Sequence, residues 1–152
     1  MSDSKKFKKI YYWSPFSSNI ATPKAVMNSA ESLIKYSNQE FKPTIINAVG
    51  EWDHYLDGKY ENKVPIIDLT NLKLYNFIQN KGYLTSRLIY FITFICTFWK
   101  LKKFLQKDNP DYIILHLITC LPLFLLIFFK FKTKFILRIS GYPKLNFFRR
   151  FL

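Results

Sequence analysis

The sequence predicts an α/β protein in which helices cover both faces of a parallel β-sheet. Two observations lead to this fold class. Short segments rich in β-branched and aromatic residues alternate with longer segments that carry a helical period, which is typical of βαβ units with right-handed crossovers. One of the short segments, residues 109–116, passes from Asn-Pro-Asp into an uninterrupted apolar stretch, which is typical of a buried parallel strand.

The first half of the chain alternates in this way from its beginning. Thr22-Pro23 supplies an N-cap and a proline in the first helical position, and Phe41-Lys42-Pro43 breaks the helix that follows. The last strand of this half contains Pro65, which lacks a backbone donor, so we expect it near an edge of the sheet. The predicted elements are a strand at 9–13, a helix at 22–36, a strand at 44–49, a surface excursion without a period at 51–63, and a strand at 64–69.

The second half contains the longest predicted helix. Leu88, Ile92, Ile95 and Trp99 are spaced by three or four residues, and the lysines near the end of this segment suit the dipole of a helix C-terminus. The predicted elements are a short helix at 72–80, a long helix at 86–107, a strand at 112–116, an apolar helix that begins at Thr119 or Pro122 and ends near 131, and a strand at 134–141.

Composition and charge restrict the partners. The 152 residues are 49% hydrophobic and carry a formal net charge of +13, which calls for nucleic acid, a phosphate-bearing substrate or an acidic membrane surface. The basic and aromatic residues lie within apolar elements and form no RNA-binding signature. We therefore predict no nucleic-acid partner.

Two apolar stretches raise the question of a membrane. Residues 112–129 form 18 positions without a formal charge, which is the lower limit for a transmembrane helix. This stretch contains His116 and Pro122 and follows a strong turn signal, so a strand and a helix fit it better. Because basic residues flank both this stretch and residues 88–99, a helix that rests in a membrane interface is a milder alternative.

Several kinds of chemistry are excluded by missing motifs. The four glycines are isolated, so no dinucleotide-binding, P-loop or nucleophile-elbow pattern occurs. There is no Asp-x-Asp pair, and His54 and His116 lie far apart without carboxylates at ligand spacing. We therefore predict no metal site.

Polar residues at the ends of the predicted strands form the candidate site. Because the carboxyl ends of parallel strands open into one crevice, these residues are expected to converge. Each also has an ordinary structural explanation: the serines and Asn19 could satisfy a turn, Arg138 could form an ion pair, and His116, whose unperturbed pKa is about 6.5, could be a partly buried core residue. The candidates are Ser17, Ser18 and Asn19 after the first strand, His116 after the fourth, and Arg138 and Ser140 at the fifth.

Three segments of the chain resemble a known family. They are Lys-Asp-Asn-Pro-Asp-Tyr-Ile-Ile-Leu-His at 107–116, Leu-Ile-Thr-Cys-Leu-Pro-Leu at 117–123 and Ile-Leu-Arg-Ile-Ser-Gly-Tyr-Pro-Lys-Leu-Asn at 136–146. With the order of elements, they are similar to the N-terminal half of family 4 glycosyltransferases, which have the two-domain GT-B fold. The resemblance implies a Rossmann-like acceptor-side domain at residues 1–141. Residues 142–152 would begin the interdomain segment, and the donor domain would be absent.

The same resemblance implies a function. Such enzymes transfer a sugar from a nucleotide sugar, with retention of configuration and without a metal or other cofactor. The acceptor would be a glycan or lipid-linked molecule of envelope polysaccharide or lipopolysaccharide biosynthesis, and the protein would be cytoplasmic and peripheral at the anionic inner leaflet. His116 would map to the catalytic histidine, the first-strand loop to Ser17 through Thr22, and Arg138, Ser140 and Lys144 to the segment that faces the interdomain cleft.

Two expectations complete this interpretation. Without its donor half the chain would be inactive in transfer, whether it is a fragment, a truncated gene product or a subunit of a split enzyme. The alternative from another class is a small non-catalytic protein that is embedded in a membrane or acts as a membrane scaffold.

Overall fold

The computed structural model describes residues 7–16, 22–38, 40–56, 64–75, 83–116 and 121–138, with Leu56, residues 83–89 and Leu121 described by their backbone alone. These residues form five strands and four helices. In chain order they are β1 (Lys8–Trp13), α1 (Thr22–Tyr36), β2 (Phe41–Asn47), α2 (Asp53–Leu56), β3 (Ile66–Asp68), α3 (Tyr83–Asp108), β4 (Tyr112–His116), α4 (Leu121–Phe128) and β5 (Lys134–Arg138).

The five strands form one parallel sheet in the order β3-β2-β1-β4-β5. This order confirms the predicted fold class, a Rossmann-like parallel sheet with helices on both faces. The predicted edge position of β3 is also confirmed, and β4 lies inside the sheet between β1 and β5. The predicted domain boundary at residues 141 and 142 lies outside the described residues.

The alternation of side chains along β1 explains why both faces of the sheet are covered. Tyr12 packs in a core with Val26 and Ala30 of α1, whereas Trp13 packs in a second core with Leu101 of α3 and Leu125 of α4. Because successive side chains of a strand point to opposite faces, one apolar run supplies both cores. The even-numbered residues of β1, β4 and β5 therefore share the α1 face.

β2 begins three residues earlier than the sequence predicted, because Pro43 is tolerated inside it. Ile45 donates its N–H towards β3, to the carbonyl of Pro65, and Pro43 lies two residues before Ile45 and so faces the same way. The paired part of β3 begins only opposite Ile45. The missing N–H of Pro43 therefore costs no ladder hydrogen bond.

The long helix α3 ends where its capping residues predict. Asn109 adopts a left-handed φ of 45° and donates its N–H to the carbonyl of Leu105, and Pro110 follows. This arrangement is typical of a helix C-terminus. α4 is shorter than predicted and ends at Phe128.

The interpretation of residues 51–63 as a surface excursion is wrong at its beginning. Glu51 and Trp52 are almost completely buried. Residues 57–63, most of the predicted helix at 72–80, and residues 139–141 of the predicted last strand lie outside the described part of the chain.

No helix in the described ranges is both long enough and apolar enough to cross a membrane. The long α3 carries four lysines in its second half, and the more apolar α4 has only eight residues.

Candidate functional site

A row of polar residues crosses the whole sheet at its carboxyl edge. Trp13, the last residue of β1, is level with Ile46 of β2 and Leu115 of β4, and Ser14 follows it as Asn47 follows Ile46 and His116 follows Leu115. The strand register then pairs Asn47 with Asp68 and His116 with Arg138. We call these five residues the carboxyl-edge row: Asp68, Asn47, Ser14, His116 and Arg138.

The row divides into two parts. In the first part, the Asn47 side-chain amide donates to an Asp68 carboxylate oxygen at 2.6 Å and to an Asp53 carboxylate oxygen at 2.8 Å. Its side-chain oxygen accepts hydrogen bonds from the backbone N–H groups of Gly50 and Trp52. Asn47 is thus fully engaged in holding the loop that follows β2.

Glu51 completes the same loop from inside. Its two carboxylate oxygens accept the backbone N–H groups of Ala48 and Val49 at 2.9 and 2.7 Å. Burial raises the pKa of Glu51 to about 7, although these N–H donors act in the opposite direction. We conclude that Asn47 and Glu51 are structural residues, and that the loop could not be found from local sequence because its only signals are an asparagine and a buried charge.

The second part of the row consists of Ser14, His116 and Arg138. Ser14 is completely buried, and its hydroxyl has no hydrogen-bond partner among the described residues. A buried hydroxyl in this situation commonly serves a ligand or a water molecule. Ser14 was not predicted from the sequence, because a serine before Pro15 looks like an ordinary turn residue.

His116 lies against the aromatic layer below the row. Its ring centroid is 6.4 Å from that of Tyr12, whose hydroxyl is 3.1 Å from the Ser29 hydroxyl of α1. Burial and, to a lesser degree, the neighbouring Arg138 lower the pKa of His116 to about 4. The imidazole is therefore neutral at physiological pH, whereas an unperturbed histidine, with a pKa of about 6.5, would be partly charged.

Arg138 joins the edge strand to the helix on this face. Its Nη1 donates a hydrogen bond to the backbone carbonyl of Ala25 at 3.4 Å, although the side chain remains exposed. Its charge also acts to lower the pKa of Tyr12, although burial, which raises that pKa, is the larger effect. The guanidinium is thus held close to His116 while it keeps donors that face solvent.

The three groups of the second part have complementary chemistry. A neutral imidazole can donate to or accept from a hydroxyl group, a serine hydroxyl can do the same, and a guanidinium prefers phosphate or carboxylate oxygens. His116 and Arg138 are register partners on adjacent strands, and Ser14 directly follows β1, the strand beside β4, at the same edge of the sheet. The arrangement can hold a molecule that carries both hydroxyl groups and an anionic oxygen.

Of the sequence-predicted site residues, the structure brings His116 and Arg138 together. Ser17, Ser18, Asn19, Ser140 and Lys144 lie outside the described residues, so their placement stays a prediction. Within the described residues, no group of three or more His, Cys, Asp or Glu side chains could hold a metal ion.

Comparisons with protein-family models, with curated proteins and with solved structures find no match to the chain. The candidate site is therefore described by its own geometry alone.

Proposed function

We propose that this chain is the acceptor-side half of a retaining, nucleotide-sugar-dependent glycosyltransferase of envelope polysaccharide or lipopolysaccharide biosynthesis. One observation carries the proposal: Ser14, His116 and Arg138 lie side by side at the carboxyl ends of three adjacent parallel strands. In open α/β sheets this is the place where ligands bind. The resemblance of residues 107–123 and 136–146 to family 4 glycosyltransferases favours this reaction over others.

Each residue has a role in the proposed reaction. Neutral His116 orients the sugar or the attacking hydroxyl by hydrogen bonding, because an imidazole with a pKa near 4 carries no charge at neutral pH. Ser14 donates or accepts a second hydrogen bond. Arg138 binds an anionic oxygen of the acceptor or of the donor phosphates. The donor sugar nucleotide is held by a separate domain or polypeptide.

The acceptor is proposed to be a glycan or a lipid-linked molecule, which places the protein at the cytoplasmic surface of the inner membrane. The net charge of +13 favours association with an anionic leaflet. The association is peripheral in this proposal.

The test measures ligand binding to the isolated chain by NMR or calorimetric titration. We expect saturable binding of glycosyl 1-phosphates, weaker binding of the matching neutral sugars, and little affinity for UDP- or GDP-sugars. His116→Ala and Arg138→Ala should each weaken the phosphate-bearing ligands at least tenfold, since each removes about 1.5–3 kcal/mol of hydrogen bonding to a charged group or its neighbour.

Ser14→Ala has a matched control. Ser37 also carries a hydroxyl without a hydrogen-bond partner in the described part of the chain, but it lies near Glu40 and the start of β1, at the opposite edge of the sheet. Ser14→Ala should weaken binding and Ser37→Ala should not. Equal effects of the two variants, or tight binding of a nucleotide sugar by this chain alone, would contradict the proposal.

A second candidate function is a non-catalytic membrane scaffold. The observation in its favour is the large number of exposed aromatic and aliphatic residues on α3 and α4. This candidate predicts that membrane binding persists while Ser14, His116 and Arg138 variants change no ligand affinity.

A further inference from the structure

Helices α3 and α4 expose an unusually apolar surface. Trp99 is 59% exposed, Phe91 61%, Ile127 70% and Phe128 67%. Soluble proteins rarely leave large aromatic and aliphatic side chains together in solvent unless the surface binds something. We define the α3–α4 surface by its exposed members: Phe91, Ile92, Ile95, Trp99, Phe124, Leu126, Ile127 and Phe128.

These residues form one surface because half-buried rings connect the two helices. Phe94 of α3 meets Phe124 of α4 edge to face, with ring centroids 5.6 Å apart. Phe129 connects the helices through tilted ring contacts, with its centroid 6.2 Å from that of Trp99 and 6.4 Å from that of Phe128. The exposed side chains on either side of this seam therefore belong to one continuous apolar area.

Lysines border this area at one end. Lys102 Nζ lies 3.8 Å from the centre of the Phe129 ring and 5.1 Å from that of Trp99. Gln106 and Asn109, at the end of α3, share a depression of about 290 Å³ with Lys130 and Lys132, so the segment that follows α4 adds two cations near the end of α3. Long lysine side chains that cover aromatic rings while their charge faces outwards are typical of residues at a membrane interface.

The charge pattern distinguishes a lipid surface from a protein partner. Residues 83–138 contain nine Lys and Arg residues and only two acidic residues, Asp108 and Asp111. Both acidic side chains are engaged by β1, through Lys9 and Tyr11. An aromatic surface with lysines at its border is complementary to an anionic bilayer, in which rings enter the interface and lysines meet the head groups.

We infer that the α3–α4 surface is the membrane-binding surface of this protein and that it inserts its aromatic side chains into an anionic lipid interface. The inference deepens the membrane-associated part of the proposed function and rests on it. It adds that apolar insertion, and not charge alone, holds the protein. It also identifies Trp99 as the residue that reports the contact.

The structure offers a matched control on the other face of the sheet. Tyr36 of α1 is 72% exposed, and Lys35 Nζ lies 4.9 Å from the centre of its ring. Like Trp99 and Lys102, this pair combines an exposed aromatic ring with a lysine over it, but it lies on α1, outside the α3–α4 surface. Substitutions at Tyr36 therefore test whether any exposed aromatic residue would suffice.

The experiment measures binding of the full chain to vesicles of phosphatidylcholine with and without phosphatidylglycerol. Wild-type protein should bind the anionic vesicles, and brominated lipids should quench Trp99, because the other two tryptophans, Trp13 and Trp52, are buried in the core. Ile95→Ser with Trp99→Ser should lower the partition coefficient at least tenfold, while Tyr36→Ser should leave it unchanged. Lys102→Gln should lower it by about fivefold on anionic vesicles only.

The contrary outcomes are distinct. If wild-type protein binds no vesicles, the membrane part of the proposed function fails together with this inference. If wild-type binds and the Ile95/Trp99 double variant binds equally well, only the inference fails. Light scattering that shows a dimer, which the double variant converts to a monomer without any vesicle binding, would make the surface an interface between two copies and would also overturn the inference.

Discussion

The pKa values of buried Glu51 and half-buried His116 are shifted in opposite directions, and the two shifts have opposite effects on stability as the pH changes. His116 has its pKa lowered from 6.5 to about 4, so between these values the unfolded chain binds a proton that the folded chain does not. Glu51 has its pKa raised from 4.5 to about 7, so between these values the folded chain holds a proton that the unfolded chain releases. With rising pH the first effect increases stability and the second decreases it.

We therefore predict a shallow pH dependence of wild-type stability between about pH 4.5 and 6.5, where the two effects overlap. In His116→Gln, only the Glu51 contribution remains, and the free energy of unfolding should fall with rising pH by up to about 1.4 kcal/mol per unit. In Glu51→Gln it should rise with pH by a similar amount. Urea denaturation at half-unit steps of pH measures both slopes, and variants that keep the wild-type profile would contradict the assignment.

Only some residues of the candidate site could be predicted from the sequence. His116 and Arg138 were predictable because each ends a strand with a strong β pattern. Ser14 was not, because its importance comes from burial beside Trp13 and from its level with His116, and both depend on the strand register. Glu51 was predicted to lie on the surface. The backbone N–H groups that donate to its carboxylate come from a loop conformation that no local sequence pattern predicts.

Among the elements, the loop after β2 depends on one glycine. Gly50 has a φ of +90°, a conformation that side chains with a Cβ rarely adopt. An added Cβ would lie 3.1 Å from Lys73 Cδ and 3.2 Å from an Asp53 carboxylate oxygen. The backbone strain and the close approach act together on the segment that Asn47 and Glu51 hold.

We predict that Gly50→Ala destabilises the protein by about 1–3 kcal/mol, the usual cost of a strained backbone position. Lys73→Ala serves as a control, because it removes the partly exposed ion pair between Lys73 and Asp53, which is worth at most about 1 kcal/mol, without changing the backbone at Gly50. The double variant relieves the contact with the lysine side chain but keeps the backbone strain. The melting temperature of Gly50→Ala should therefore be lower than that of Lys73→Ala. The reverse order would contradict a strained loop.

The elements themselves were largely predictable, since all five strands, α1 and α3 follow from local patterns and from their capping residues. The exceptions have tertiary causes. Phe41 to Pro43 looks like a helix break, yet it begins β2, because the missing donor of Pro43 lies beside a position that β3 does not reach. The handedness of crossovers restricts the possible strand orders, but no local sequence pattern selects the order β3-β2-β1-β4-β5.

At the scale of the whole molecule, charge is distributed unevenly along the chain. Eight of the ten acidic residues occur in residues 1–68, whereas the segment that contains α3, α4 and β5 is basic and apolar. The candidate site at the carboxyl edge uses Ser14, which follows β1, and residues of β4 and β5. Helices α3 and α4 pack on the face of this sheet opposite to α1.

The final prediction separates this peripheral arrangement from a membrane-embedded one. When the chain is expressed in a bacterium, it should sediment with the inner membrane at low salt, and alkaline carbonate should release it, because in the proposed arrangement only surface lysines and rings inserted in the interface hold it. Salt alone should release part of it, since ions screen the lysines but leave the contacts of the inserted rings intact. A fraction that stays in the membrane pellet after carbonate would contradict the peripheral arrangement and favour the membrane-embedded alternative. The Ile95→Ser and Trp99→Ser double variant provides the internal control, since salt alone should then release all of it.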